Sequence, residues 1–225
     1  MKKLSESRSC MQHPFTIAQM RPIRDGMTVS RDAKLSKKNR VSWFSLGAGT
    51  DISRERYDSP SLYLCSEGCG EFLLGEDAHK VALTPGDLLI VPGGTLCGVD
   101  SPDGVIYTEI ITEKEITMNN QIHSGEALSL ANLIDYEDGS ITNMDIVHTD
   151  DMKFVLMAFD AGTGLTPHRA PGNAIVTALD GEAVIGYEGR DYLVHAGDSF
   201  RFDKNGLHSI TANKRFKMSL LLVTE

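Results

Sequence analysis

The stretch AIVTALDGEAVIGYEG, Ala174 to Gly189, holds two β-rich runs with Asp180-Gly181 between them. Asp-Gly between such runs is a strong hairpin signal, so the stretch predicts a strand, a tight turn and a second strand. Just downstream, Tyr192-Leu193-Val194 leads into another turn at Ala196-Gly197-Asp198. Short strands spaced about 8–12 residues apart predict an all-β sandwich or barrel. The 21 glycines of the chain fit that turn-rich plan.

The same punctuation recurs upstream. A shift of 113 positions brings Asp25-Gly26 onto Asp138-Gly139, Ala48-Gly49-Thr50 onto Ala161-Gly162-Thr163, and Gly68 onto Gly181. Apolar positions keep the register: Val41, Phe44, Leu46 and Ile52 fall on Phe154, Met157, Phe159 and Leu165. Beyond Gly68 the shift becomes 111, a two-residue difference in a hairpin loop. Gly86-Asp87 then meets Gly197-Asp198, and the closing runs YTEIIT (107–112) and MSLLLV (218–223) align. A fixed shift over such lengths marks an internal repeat. Copy one spans 14–113 and copy two 125–225, with the polar segment 114–124 as linker. A short helix is expected near Ala127 to Ile134, and Asp32 to Arg40 reads as a polar loop.

The totals bound the function classes. With 225 residues and 41% apolar content, two small domains can each bury a core. A net charge of −9 repels phosphate backbones, which argues against nucleic acid as a partner. No apolar run reaches the roughly 18 residues of a membrane span. The N-terminus MKKLSESRSCMQHPF is basic but lacks the apolar core of a secretory signal. Four cysteines, at 10, 65, 69 and 97, are too sparse for a disulfide framework. Reduced thiols and a cytoplasmic location follow as the expectation.

The second copy contains GTGLTPHRAPGNAIVTALDGEAVIGYEG (162–189) and AGDSFRFDKNGLHSITA (196–212). These stretches resemble the cupin_2 conserved-barrel family. Gly162, His168 and Gly181 match its first motif box, and Gly197 and His208 its second. In copy one, TPGDLLIVPGGTLCGV (84–99) resembles the second box, with Pro92 and Gly94 in place. The resemblance implies a bicupin: two tandem jelly-roll barrels, also called double-stranded β-helices, with minor short helices. It implies a central pocket in each barrel, and in metal-binding members three His and one Glu holding Fe, Mn, Ni, Zn or Cu.

The chain departs from that ligand set. Ala170 stands at the second His place, and Ala174 or Ile175 at the Glu place. His168 and His208 remain as candidate metal ligands, short of the three protein ligands that a catalytic zinc takes. Thr166, His168 and Ala170 are spaced two apart, so on a regular strand they share one wall. Together with His208 they are the candidate ligand-binding residues. The repeat places Glu55 under His168, Tyr57 under Ala170 and Cys97 under His208, a degenerate N-terminal set.

Three functional readings stand side by side. One is a small-molecule pocket in the C-terminal barrel, with weak metal binding by the two histidines. A second is a metal-dependent enzyme of dioxygenase or isomerase type using that barrel. The third is a non-catalytic structural or sensor protein, which predicts that neither histidine faces a cavity. No catalytic residue is assigned, and a homodimer is compatible with any of the three. Cys65 and Cys69 read as apolar thiols on one strand face. Arg31, Lys34, Lys37, Lys38 and Arg40 read as a solvated basic run, and His195 as a turn residue. His13, His79, His123 and His148 have no partner at ligand spacing. Trp43, Phe44, Phe159, Phe200 and Phe202 read as barrel core.

Overall fold

A computed structural model of the chain describes residues 11–224. Cys10 and most of the basic N-terminal start lie outside the described residues. The chain divides into two compact units, one of residues 17–129 and one of residues 130–224 together with residues 11–16.

The N-terminal unit opens with a short helix, α1 (Ile17–Met20), followed by strands β1 (Thr28–Asp32), β2 (Arg40–Leu46), β3 (Thr50–Arg56), β4 (Ser61–Gly68) and β5 (Gly70–Leu74). Strands β6 (His79–Leu83), β7 (Asp87–Val91), β8 (Leu96–Ser101), β9 (Val105–Ile111), β10 (Thr117–Met118) and β11 (Ala127–Ser129) complete it. One sheet runs β1-β2-β9-β4-β7-β11 and the other β3-β8-β5-β6. Their facing sides enclose a core that includes Leu46, Tyr63, Phe72, Leu83, Val99 and Tyr107. Strand β9, VIYTEII, is rich in β-branched residues suited to a pleated surface and is buried at six of seven positions.

The C-terminal unit contains β12 (Ile141–His148), β13 (Met152–Phe159), β14 (Thr163–Arg169), β15 (Asn173–Tyr187), β16 (Arg190–His195), β17 (Ser199–Phe202), β18 (Leu207–Ala212) and β19 (Phe216–Val223). Antiparallel pairing gives one sheet in the order β12-β13-β19-β15-β17. The second runs β14-β18-β15-β16. Phe159, Phe200, Phe202 and Phe216 fill the space between them. The all-β jelly-roll architecture is as the sequence predicts, and Trp43, Phe159, Phe200 and Phe202 are buried. Phe44 is half-buried and stacks on Tyr107 with ring centroids 5.1 Å apart.

The Asp180-Gly181 hairpin does not form. Strand β15 runs straight through it, pairing with β17 and β19 before Gly181 and with β16 and β18 beyond it. A register shift between Ala178 and Asp180, followed by Gly181 at φ +72°, bends the strand from one sheet into the other. A Cβ on Gly181 would lie 2.0 Å from the Arg215 carbonyl oxygen. Gly68, the last residue of β4, repeats this arrangement at φ +73° with the Gly104 carbonyl oxygen.

The expected helix near Ala127 to Ile134 is replaced by β11 and a single 3-10 turn, Leu130–Asn132. The backbone of 127–129 takes its partners from β7, with Ala127 opposite Leu89, so no helical ladder can form there. Residues 11–15 play a similar part in the C-terminal unit. Phe15 and Ser199 exchange both backbone hydrogen bonds, at 3.0 and 2.7 Å, and the Arg201 N–H donates to the Met11 carbonyl at 3.0 Å. Each unit thus closes the free edge of one strand, β7 or β17, with a segment from at or just before the start of a repeat copy. No helix among the described residues is long and apolar enough to cross a membrane.

Candidate functional site

In the C-terminal unit His168 on β14 stands directly opposite His208 on β18. The register jumps from Leu165–Ile210 to His168–His208, so a bulge over Thr166-Pro167 re-aims the end of β14. The two imidazoles come to 4.3 Å between ring centroids. His208 is buried and stacks on Phe202 at 4.2 Å and 19°, whereas His168 is exposed. Thr166 contributes its carbonyl to the pair rather than its side chain, and Ala170 lies just beyond the end of β14.

Both rings are oriented in the same way. His168 Nδ1 lies 2.8 Å from the Thr166 carbonyl oxygen, and His208 Nδ1 lies 2.9 Å from that of Gly206. A carbonyl only accepts, so each Nδ1 carries the proton and each Nε2 presents a lone pair in the neutral ring. Burial holds the pKa of His208 below the ordinary imidazole value; its Gly206 hydrogen bond opposes this, and the neighbouring His168 adds to it. The surrounding polar groups are already engaged. Asp203 accepts from Arg201 Nε at 3.1 Å and Gln12 Nε2 at 2.8 Å, and its N–H donates to the Tyr187 hydroxyl at 3.3 Å.

The donor set falls short of the metal centre that the resemblance implies. Among the described residues no group of three or more His, Cys, Asp or Glu gathers to hold an ion. Two imidazoles with hydrogen-bonded Nδ1 atoms have the right orientation for ligands, but they do not make up a catalytic site on their own. An open cleft of about 260 Å³ lies beside His208, walled in part by Pro167, Tyr187, Arg190 and Leu207. A second cleft of about 330 Å³ is lined by His13, Tyr187, Arg190 and Tyr192, and the rings of His13 and Tyr192 meet edge to face at 5.1 Å.

The N-terminal unit brings its predicted trio together at the corresponding place. Glu55 stands opposite Cys97, after the same kind of bulge, between Ile52 and Glu55. The Tyr57 hydroxyl reaches Glu55 at 3.4 Å. Sequence reasoning missed the groups beneath them: Glu109, Tyr63 and Tyr107. Glu109 and Tyr63 are register partners on β9 and β4, and Arg40 reaches Glu109 at 3.4 Å. The available signal was one acidic residue inside the apolar run VIYTEII. At the positions of Tyr63, Tyr107 and Glu109, copy two has Val176, Met218 and Leu220.

The remaining candidates are unremarkable. Cys65 is buried, and that burial pushes its thiol up to about 12. Cys69 lies outside β4, so the two do not share a strand face as expected. His195 is exposed, 3.6 Å from Asp198 and 3.9 Å from Glu182.

Residues 155–224 match the Cupin_2 family, described as a cupin domain. None of the curated proteins matches the chain. A cupin 2 conserved barrel domain protein from Leptotrichia buccalis superposes with a TM-score of 0.84 at 26% identity, over 95% of this chain and 97% of that one. A mutant salicylate 1,2-dioxygenase from Pseudoaminobacter salicylatoxidans superposes at 0.65 with 13% identity, over 98% of this chain and 81% of that one. Its complex with gentisate gives 0.64 and 12%, over 99% and 80%. With the two jelly-roll sheet systems described above, these matches show that the chain has the cupin-barrel fold, with the Cupin_2 match confined to residues 155–224.

Proposed function

We propose that the C-terminal barrel binds a small polar organic molecule beside the His168–His208 pair, and that binding rather than a metal-centred reaction is its role. One observation carries this reading: two facing imidazoles, each fixed by a backbone carbonyl, aim their acceptor nitrogens from one strand pair. Such a pair suits a ligand with hydroxyl donors, and the depressed pKa of His208 favours the neutral, accepting ring at pH 7. The buried Phe202 ring beneath His208 supplies an apolar floor. A fold neighbour complexed with gentisate supports the idea that a barrel of this shape admits a small hydroxylated acid.

Thermal-shift and calorimetric titration of the full chain with gentisate and related hydroxybenzoates tests the reading. Saturable binding is expected, weakened about tenfold in His168→Ala or His208→Ala, as loss of one hydrogen bond to the ligand implies. No saturable ligand, or variants that bind unchanged, would overturn it. The hydrogen-bonded Nδ1 atoms also favour a second reading, a metal-dependent enzyme with a further ligand from elsewhere. Stoichiometric metal in protein purified without chelator, lost in His168→Ala, would establish that one instead.

A further inference from the structure

The N-terminal barrel has lost both motif histidines, yet it keeps a buried polar cluster. Glu109 has a side chain only 5% exposed. Its Oε2 has a long 3.4 Å contact with Arg40, and among the described residues Oε1 has no hydrogen-bond donor. Tyr107 is 1% exposed, and its hydroxyl makes no hydrogen bond to any described residue. Tyr107 lies two residues from Glu109 on β9, so the two side chains project from one face of the strand. Tyr63, opposite Glu109 in register, belongs to the same core as Tyr107, their rings 5.9 Å apart. Cys97, Tyr63 and Tyr107 belong to one core, and burial raises the pKa values of all three and of Glu109.

We propose that this cluster is a second ligand site, which takes the ammonium head of a small organic amine. Three features point to a cation. Glu109 has Arg40 as its one guanidinium contact, and Glu55, which accepts from the Tyr57 hydroxyl, adds a second acidic group nearby. Arg40 itself lies 5.4 Å over the Tyr57 ring, so a cation is already held against an aromatic face at this rim. Finally, a carboxylate oxygen that no donor of the described residues reaches is stabilised by an added N–H donor, and the Tyr107 hydroxyl supplies a further polar contact. The rings of Phe72, Tyr63 and Tyr107 pack on one another beside the cluster and give it an apolar, aromatic surrounding. Copy two, with Val176, Met218 and Leu220 at the equivalent places, lacks this chemistry, so the site is independent of the His168–His208 pair.

Isothermal titration of the full chain with n-butylammonium chloride tests the proposal, with sodium butyrate and 1-butanol as shape-matched anionic and neutral probes. The ammonium probe is expected to bind saturably in the millimolar range or tighter, and the other two at least about tenfold more weakly. Glu109→Gln, which keeps the shape, is expected to weaken the ammonium at least about tenfold, as for a lost charge-assisted contact. His208→Ala is expected to leave it unchanged, which separates this site from the C-terminal one. Butyrate or butanol binding as well as the ammonium, or no saturation by the ammonium, would overturn the proposal, and this comparison needs only wild-type protein. Equal ammonium binding by a Glu109→Gln variant with wild-type near-ultraviolet circular dichroism would overturn it as well.

Discussion

At the scale of single residues the functional question turns on protonation. His208 is buried on Phe202 with its pKa held below the ordinary imidazole value, chiefly by burial. The unfolded chain therefore binds more protons than the folded one at pH values below the ordinary imidazole pKa of about 6.5. Stability should be at its full value above that pH and fall as acid is added, until the depressed folded pKa is passed. Denaturant midpoints from pH 7.5 down to about 5 should decline, and His208→Gln should remove part of the slope. An unchanged slope in the variant would assign it to other groups. Nuclear magnetic resonance should also show the His208 ring titrating below the usual histidine range.

At the scale of elements, the long strand β15 and the borrowed edges decide the architecture. Gly181 bends β15 between sheets, with its backbone in the left-handed region and a carbonyl where a Cβ would go. Gly181→Ala should therefore cost at least about 2 kcal/mol, since either strain alone amounts to roughly 1–3 kcal/mol. Equilibrium denaturation with urea measures this, and a loss under about 0.5 kcal/mol would mean the strand bends by other means. On the opposite edge, Phe15 is 4% exposed and its backbone is bonded to Ser199. Phe15→Ala should destabilise the C-terminal unit by about 3 kcal/mol, within the usual range for a buried phenylalanine. Hydrogen exchange at the Ser199 and Arg201 amides should rise with it.

These elements also show what the sequence could and could not reveal. The glycines at 68 and 181 were legible as breaks in the pattern, because a residue with positive φ marks a bend of some kind. Whether the bend is a hairpin or a bulge depends on which strands pair on either side, and no local signal carries that. His168 and His208 were legible because their spacing follows a motif; their carbonyl-held Nδ1 atoms depend on backbone positions at Thr166 and Gly206 that spacing does not report. Glu109 was hidden for a related reason. A lone acid in a β-run ordinarily marks the solvent face, but β9 is central in its sheet and faces the core with Tyr107 and Glu109 alike.

At the scale of the whole molecule, two barrels with the same sheet plan carry different chemistry: a pair of facing imidazoles in one, a carboxyl among tyrosines in the other. Neither gathers three metal-ligating side chains among the described residues. The stability of both units should then rest on their packed cores, and not on an ion. A structural metal contributes on the order of 10 kcal/mol to folding, so a stabilising ion could not be removed silently. Dialysis of the full chain against excess chelator should leave the thermal midpoint where it was, because a change of 1 kcal/mol already moves a domain of this size by several degrees. Adding zinc back at a modest excess should raise the midpoint only slightly, since binding much weaker than the free concentration contributes little through mass action. A chelator-induced drop of several degrees, reversed by one metal and abolished in His168→Ala, would show that the histidine pair recruits a third ligand, and would move the C-terminal barrel from the binding reading to the metalloenzyme one.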